Sequence, residues 1–267
     1  PHFLSGLISK ELSMDTWLSK FTKSDLLLID NLRRDDCPDL AEDGWLRFER
    51  GDWAGIWHAS PNGWSEMPGH GHQDVGAFEL HWKATPIFID PGRGSYGQTV
   101  EAREYQSAAV HNTIQIDGHD PYPTNRPYYD DGFRRDVSAG TTIFSSANSV
   151  SVSFDGFTRL QNVGGILRRW AFDENSFTLT DEINGTGTHS ILRHLVTQHP
   201  VKTKNESVII NVGSFQFTVM GGPLVVRPIK RWVSYGVAEK ANAIEFQSYA
   251  KLPCALQIRV DISKGKS

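Results

Sequence analysis

The sequence predicts an all-β protein, a large antiparallel β-sandwich preceded by a short, partly helical lead-in. Three observations carry the prediction. From Gly44 onward, short runs rich in β-branched and aromatic residues recur at even spacing, separated by Gly, Asn, Asp and Pro. Residues 5–32 instead place apolar side chains at roughly helical intervals. The length, 267 residues, suffices for one large all-β domain or two small ones with a sizeable core.

In the lead-in, Leu4, Leu7, Ile8, Leu12, Trp17, Leu18 and Phe21 give the helical spacing, and Ser13 is placed to cap a short helix bearing Trp17. Leu26 to Ile29 fits a buried strand or a helix end, and its length does not decide. The polar run from Arg33 to Asp43, with Pro38 and then Gly44, reads as a linker. Residues 1–40 are therefore expected to be a lead-in, and 41–267 the sandwich.

Strands are expected at Trp45–Arg50, which alternates, and within Asp52–Ala59. Phe78–Trp82 and Pro86–Ile89 follow, joined by a short turn, and Thr113–Ile116 ends at the hairpin signal Asp117-Gly118. Later candidates are Thr141–Ser145, Ser149–Phe154, Gly165–Phe172, Ser176–Asp181, Ser190–Thr197 and Ser207–Asn211. Phe215–Met220, Leu224–Pro228, Trp232–Val237, Ala243–Tyr249 and Ala255–Val260 complete the series. Such a succession favours an antiparallel sandwich over an α/β fold. One interruption, Gly118 to Asp136, holds three prolines among Tyr122, Tyr128 and Tyr129. A long aromatic loop of this kind is either functional or packed onto the sandwich by its tyrosines.

The net charge of −4, with no Lys/Arg block, gives no reason to expect nucleic acid. Local basic residues, Arg126 and Arg134-Arg135, leave room for an anionic ligand. No apolar run reaches membrane-spanning length, and no signal-peptide pattern opens the chain. Its start, Pro-His-Phe-Leu, reads as a mature product or an excised piece, so a signal peptide or an upstream domain is compatible with it. The two cysteines, Cys37 and Cys254, are either a disulfide or two separate thiols.

The chemistry concentrates in three stretches: Gly69-His70-Gly71-His72-Gln73-Asp74, Ile89-Asp90-Pro91-Gly92, and Val110-His111-Asn112-Thr113. In an extended chain, residues two apart share a face, which aligns His70, His72 and Asp74. Imidazole and carboxylate are ordinary zinc ligands. A charge at the end of an apolar run, as at Asp90, needs a partner. His72, Asp90 and His111 make the preferred metal triad, with His70 facing a ligand and Asp74 orienting a ligand from behind. The alternative is a buried polar network with no ion. His58, His81, His119, His189, His194 and His199 lack such company and read as surface or satisfied core residues.

Taken together, these stretches resemble the heparinase II/III-like polysaccharide lyases. The resemblance rests on Gly69 to Asp74, on Asp90-Pro91-Gly92 with Tyr96, and on Ala109 to Thr113 with Asp117-Gly118, in matching order over about residues 44–136. It implies a C-terminal domain of stacked antiparallel sheets holding a zinc ion on His72, Asp90 and His111, in a role read as structural rather than catalytic. It implies that His70 faces a cleft shared with a helical toroid upstream, which carries the main acid and base and which this chain is too short to contain. It further implies β-elimination on a uronic-acid polysaccharide, by a periplasmic or secreted bacterial enzyme inactive without its toroid. Within that frame His70 and Tyr96 are candidate catalytic groups, Tyr96 ahead of Tyr105, and Arg93, Arg103 and Arg126 are candidates for the substrate's anionic groups. Two rivals share the features: a non-catalytic carbohydrate-binding or polysaccharide-assembly module, suited by eight Trp and seven Tyr, and a cupin-type oxygenase with iron on two His and a carboxylate.

Overall fold

A computed structural model describes residues 44–59, 71–97, 99–123 and 141–265. The lead-in, its boundary near residue 40, and Cys37 lie outside them, as do His70 and Arg126. Among the described residues the fold is three antiparallel sheets and one short helix, α1 (Val100–Glu104).

The first sheet is a meander of β1 (Trp45–Arg50), β2 (Trp53–His58), β3 (Ala77–Trp82) and β4 (Thr85–Phe88). The turn from β3 to β4 is made by Lys83 and Ala84, both at positive φ, so two ordinary residues take the hairpin conformation that usually selects Gly or Asn. β5 (Ile114–Ile116) ends at Asp117-Gly118, also both at positive φ, and the chain returns through a single bridge, Ile116 to His119.

Beyond the loop come β6 (Thr142–Ser145), β7 (Ser149–Phe154), β8 (Val163–Phe172), β9 (Ser176–Gly185) and β10 (Thr188–Thr197). They are followed by β11 (Val201–Lys204), β12 (Ser207–Val212), β13 (Phe215–Met220), β14 (Leu224–Ser234), β15 (Val237–Lys251) and β16 (Cys254–Lys264). The eight-stranded sheet runs β11-β12-β13-β16-β9-β8-β7-β6, and the remaining four-stranded sheet runs β14-β15-β10-β5. Two sequence expectations need correcting here. Leu224–Pro228 and the start of Trp232–Val237 are one strand, because Pro228 interrupts nothing on an edge strand; the tail of the second run is the turn into β15. β11 and α1 carry no sequence pattern strong enough to announce them.

One core is shared by all three sheets. Trp53 meets Phe177 edge-on at 5.4 Å and Trp57 meets Trp170 at 5.8 Å, joining the meander to the long sheet. Ile191, Leu195, Ile244 and Phe246 join it from the third sheet. Alternation sends their neighbours the other way. Val196, Ala241, Ala243 and Ile229 cover the opposite face of that sheet together with Ile89, Tyr105 and Val110. Ile89, Tyr105 and Val110 are thus laid against a sheet face, which fixes the backbone beside Asp90 and His111.

Candidate metal centre

His72 and Asp74 precede β3, and Gln73 between them holds the segment in place. Its N–H donates to Gln106 O (2.8 Å), while its side chain accepts from Tyr122 N (2.9 Å) and donates to Pro123 O (3.3 Å). With Gln73 buried, His72 and Asp74 lie 4.0 Å apart, nitrogen to oxygen. Asp90 follows β4. Gly92, at φ +66°, turns its N–H back onto Asp90 Oδ1 (2.8 Å), and a Cβ there would meet Trp232 O at 2.9 Å. This is why the motif needs glycine. Asp90 Oδ2 lies 2.6 Å from His111 Nδ1.

His111 closes a 3-10 turn, Ala108–Val110. Asp120, from the long loop, accepts from Ser107 Oγ, Ala108 N and Gln115 Nε2 at 2.8–3.0 Å and so fixes that turn. The next two residues point inward. Asn112 donates to Phe78 O (2.7 Å) and Ile89 O (3.0 Å) and accepts from Val196 N (2.6 Å). Thr113 donates to Val75 O (2.7 Å). Arg168 then donates to Gly76 O (2.9 Å) and Asn112 O (3.0 Å). His111-Asn112-Thr113 is therefore one ligand candidate followed by two clamps that gather the strands bearing the others.

The result is convergence. Ligand atoms of His72, Asp74 and His111 all lie within 4.8 Å of one another, and Asp90 touches His111. Asp74, expected behind the ligands, stands among them. His58 was not foreseen as a participant: it ends β2 with its Nδ1 3.9 Å from Asp74 Oδ1. Only the pairing of β2 with β3 places it there, a relation that sequence spacing does not encode. His194, also unforeseen, is fully buried on β10, and neither ring nitrogen has a hydrogen-bond partner among the described residues.

Electrostatics separate the two histidines. Burial alone would lower the pKa of His111, but the charge and hydrogen bond of Asp90 raise it to about 9. Burial would raise Asp90, yet His111 and the Gly92 N–H hold it at about 2. Burial lowers His72, and the positive His111 lowers it further. At neutral pH the site thus holds an ion pair beside a neutral imidazole with an available lone pair. His194 is driven down to about 3 by burial and by the charges of Arg227 and Arg168.

Tyr105 is structural: it is buried, its hydroxyl donating to Lys230 O (2.9 Å) and accepting from Lys230 N (2.7 Å). Tyr96 is exposed, with the Arg93 guanidinium 4.7 Å from its ring centre. Arg103 is exposed on α1. No helix among the described residues is long and apolar enough to cross a membrane.

A model of the heparinase II/III-like C-terminal domain matches residues 33–253. The chain belongs to that family. The heparan sulfate lyase HepC from Pedobacter heparinus superposes on this heparinase II/III-like domain with a TM-score of 0.64 at 15% identity, over 94% of this chain and 40% of the lyase. The heparinase III BT4657 gene product gives 0.62 at 17% identity, over 93% and 40%. A second heparinase III structure gives 0.60 at 15% identity, over 85% and 36%. No curated protein matches. At these identities the superpositions establish the fold, and the chain spans about two-fifths of the lyases' length.

Proposed function

We propose that this heparinase II/III-like domain is the metal-holding β-domain of a polysaccharide lyase that cleaves a uronic-acid polysaccharide by β-elimination. The observation that carries the reading is the convergence of His72, Asp74 and His111 beside Asp90. Two imidazoles with carboxylates are a zinc donor set, and ligand atoms of a tetrahedral zinc lie about 3.3 Å apart, a closure within reach of side-chain rotation. His72, His111 and Asp90 would hold the ion, with Asp74 an additional oxygen donor. When bound, the ion would supply a cross-link between three chain segments, the structural role.

Elimination requires removal of the proton on C5, departure of the O4 leaving group with protonation, and neutralisation of the uronate carboxylate. His70, by its place two residues before His72, is the proposed partner of that carboxylate. Tyr96 is the proposed group at the leaving oxygen, and Arg93, Arg103 and Arg126 are proposed contacts for anionic substituents. Arg93 already donates to Ser95 O (2.8 Å), so its contribution is charge and order around Tyr96. The principal acid and base are assigned to a helical domain upstream, and the whole enzyme to the periplasm or the exterior of a bacterial cell.

The test is turnover by the chain joined to its upstream domain, on heparosan, heparan sulfate and alginate. Unsaturated uronate products are expected from the joined protein and little or none from this chain alone. Binding without products would move the reading to the carbohydrate-binding module, and bound iron with dependence on a 2-oxo acid would move it to the oxygenase.

A further inference from the structure

The turn between β14 and β15 carries Tyr235, 72% exposed, with its ring 6.4 Å from that of Tyr96, itself 56% exposed, at an interplanar angle of 21°. Isolated surface aromatics need no explanation. This pair differs because its backbone is fastened from both sides. Trp232 N donates to Pro91 O (2.7 Å) and Gly236 N donates to Gly94 O (3.1 Å), so the hairpin tip is tied to the loop that follows Asp90. Trp232 lies flat against Gly94, where a Cβ would come within 2.4 Å of the indole. The two rings are thereby fixed at the surface, at the entropic cost of few rotatable bonds.

The pair is also continuous with the metal centre. Arg93 lies over Tyr96, and with the Gln106 amide turned to accept, its Oε1 lies 3.0 and 3.1 Å from the two terminal nitrogens of Arg93. Gln106 O in turn accepts from the N–H of Gln73, next to His72. The positive charge of Arg93 is felt at His72. A ligand resting on the tyrosines would therefore meet apolar ring faces beside a fixed positive charge, one chain segment from the site.

From this geometry we infer that Tyr235 is the wall of a sugar-stacking subsite, holding one pyranose of an acidic polysaccharide against Tyr96. The apolar face of the sugar lies on the rings and its carboxylate or sulfate lies toward Arg93. The inference rests on the lyase reading and adds to it a substrate-positioning residue from a hairpin remote in sequence.

The test is titration and steady-state turnover of the protein with its upstream domain, using heparosan- and alginate-derived oligosaccharides of defined length. Tyr235→Ala is expected to raise Kd and KM about tenfold, the ordinary worth of one aromatic contact, with the loss falling on KM rather than kcat and with Tm unchanged. Tyr235→Phe keeps the ring and is expected to bind like the wild type. Unchanged Kd and KM in Tyr235→Ala would overturn the inference while leaving the lyase reading intact, as would a Tyr235→Phe variant as weak as Tyr235→Ala. Absence of both binding and cleavage in the wild type would overturn the two together.

Discussion

Two clusters of charge lie inside this domain, and they are built to opposite ends. In the first, Arg168 donates through Nε to Asp181 (2.7 Å), Arg193 stands 4.0 Å from the same carboxylate, and all three side chains are closed to water. In the second, His72, Asp74 and Asp90 remain partly open and His111 alone is sealed. In the first, Arg168 Nη1 donates to the main-chain carbonyls of Gly76 and Asn112 and Arg193 Nη2 donates to Gly221 O, while Arg168 Nη2 and Arg193 Nε stay buried without a hydrogen-bond partner among the described residues. The second gathers lone pairs with too few protons to satisfy them. Burial of charge therefore does not mark a site; convergent, partly accessible lone pairs do.

The sharpest way to break the contrast is to cut the closed cluster. Arg168→Met should destabilise the fold by about 3–5 kcal/mol, because Asp181 would be left buried beside one imperfectly placed arginine. Urea unfolding measures it, and a loss below about 1 kcal/mol would show that water already reaches the cluster. Asn112→Ala comes next, at about 2–4 kcal/mol for three buried hydrogen bonds. It should also weaken metal binding although Asn112 offers no ligand, which calorimetric titration with zinc would detect.

These clamps show where sequence reading succeeds and where it stops. The all-β class was legible because alternation and turn residues are local, and His72, Asp90 and His111 could be named as candidates because each lies in a short polar motif between strand-like runs. The group that converges is His72, Asp74 and His111, with Asp90 paired to His111. Asn112, in the same tripeptide, is chemically as polar as its neighbour, and only the fold reveals that it faces inward. Asp74 and His58 meet through the β2–β3 register, and Arg168 reaches Asn112 from a strand far along the chain. Tyr235 comes to Tyr96 only because a hairpin folds back on the Asp-Pro-Gly loop.

His72→Ala tests the open cluster and should have the converse signature. With His72 part-exposed, the metal-free fold should lose less than about 1 kcal/mol, whereas stabilisation by added zinc should vanish. A smaller effect concerns Asp117, whose carboxylate lies 2.7 Å from His189 Nδ1 and accepts from Ser190 N (2.9 Å), pinning the Asp-Gly turn to β10. The hydrogen bond that His189 donates to Asp117 raises the pKa of His189. Burial would raise Asp117, but His189 and Ser190 hold it down. The contribution of His189 is complete below its unfolded value of about 6.5 and fades as pH rises through its higher folded value. That of Asp117 is complete above about 3.9 and fades as pH falls through its lower one. Asp117→Asn should therefore cost most in mildly acidic solution, and no more than about 1 kcal/mol, because solvent screens a carboxylate that is 41% exposed. Tm across pH, compared with the wild type, checks the sign.

The most direct test of the central claim is metal content. Elemental analysis of the chain, purified without chelating resin or added metal, should find about one zinc per chain, as expected of a closed structural site, and close to none in His72→Ala folded to the same Tm before zinc is added. A wild-type chain that folds normally, contains no metal and takes up none on titration would contradict it, and would leave the open cluster as a second polar network.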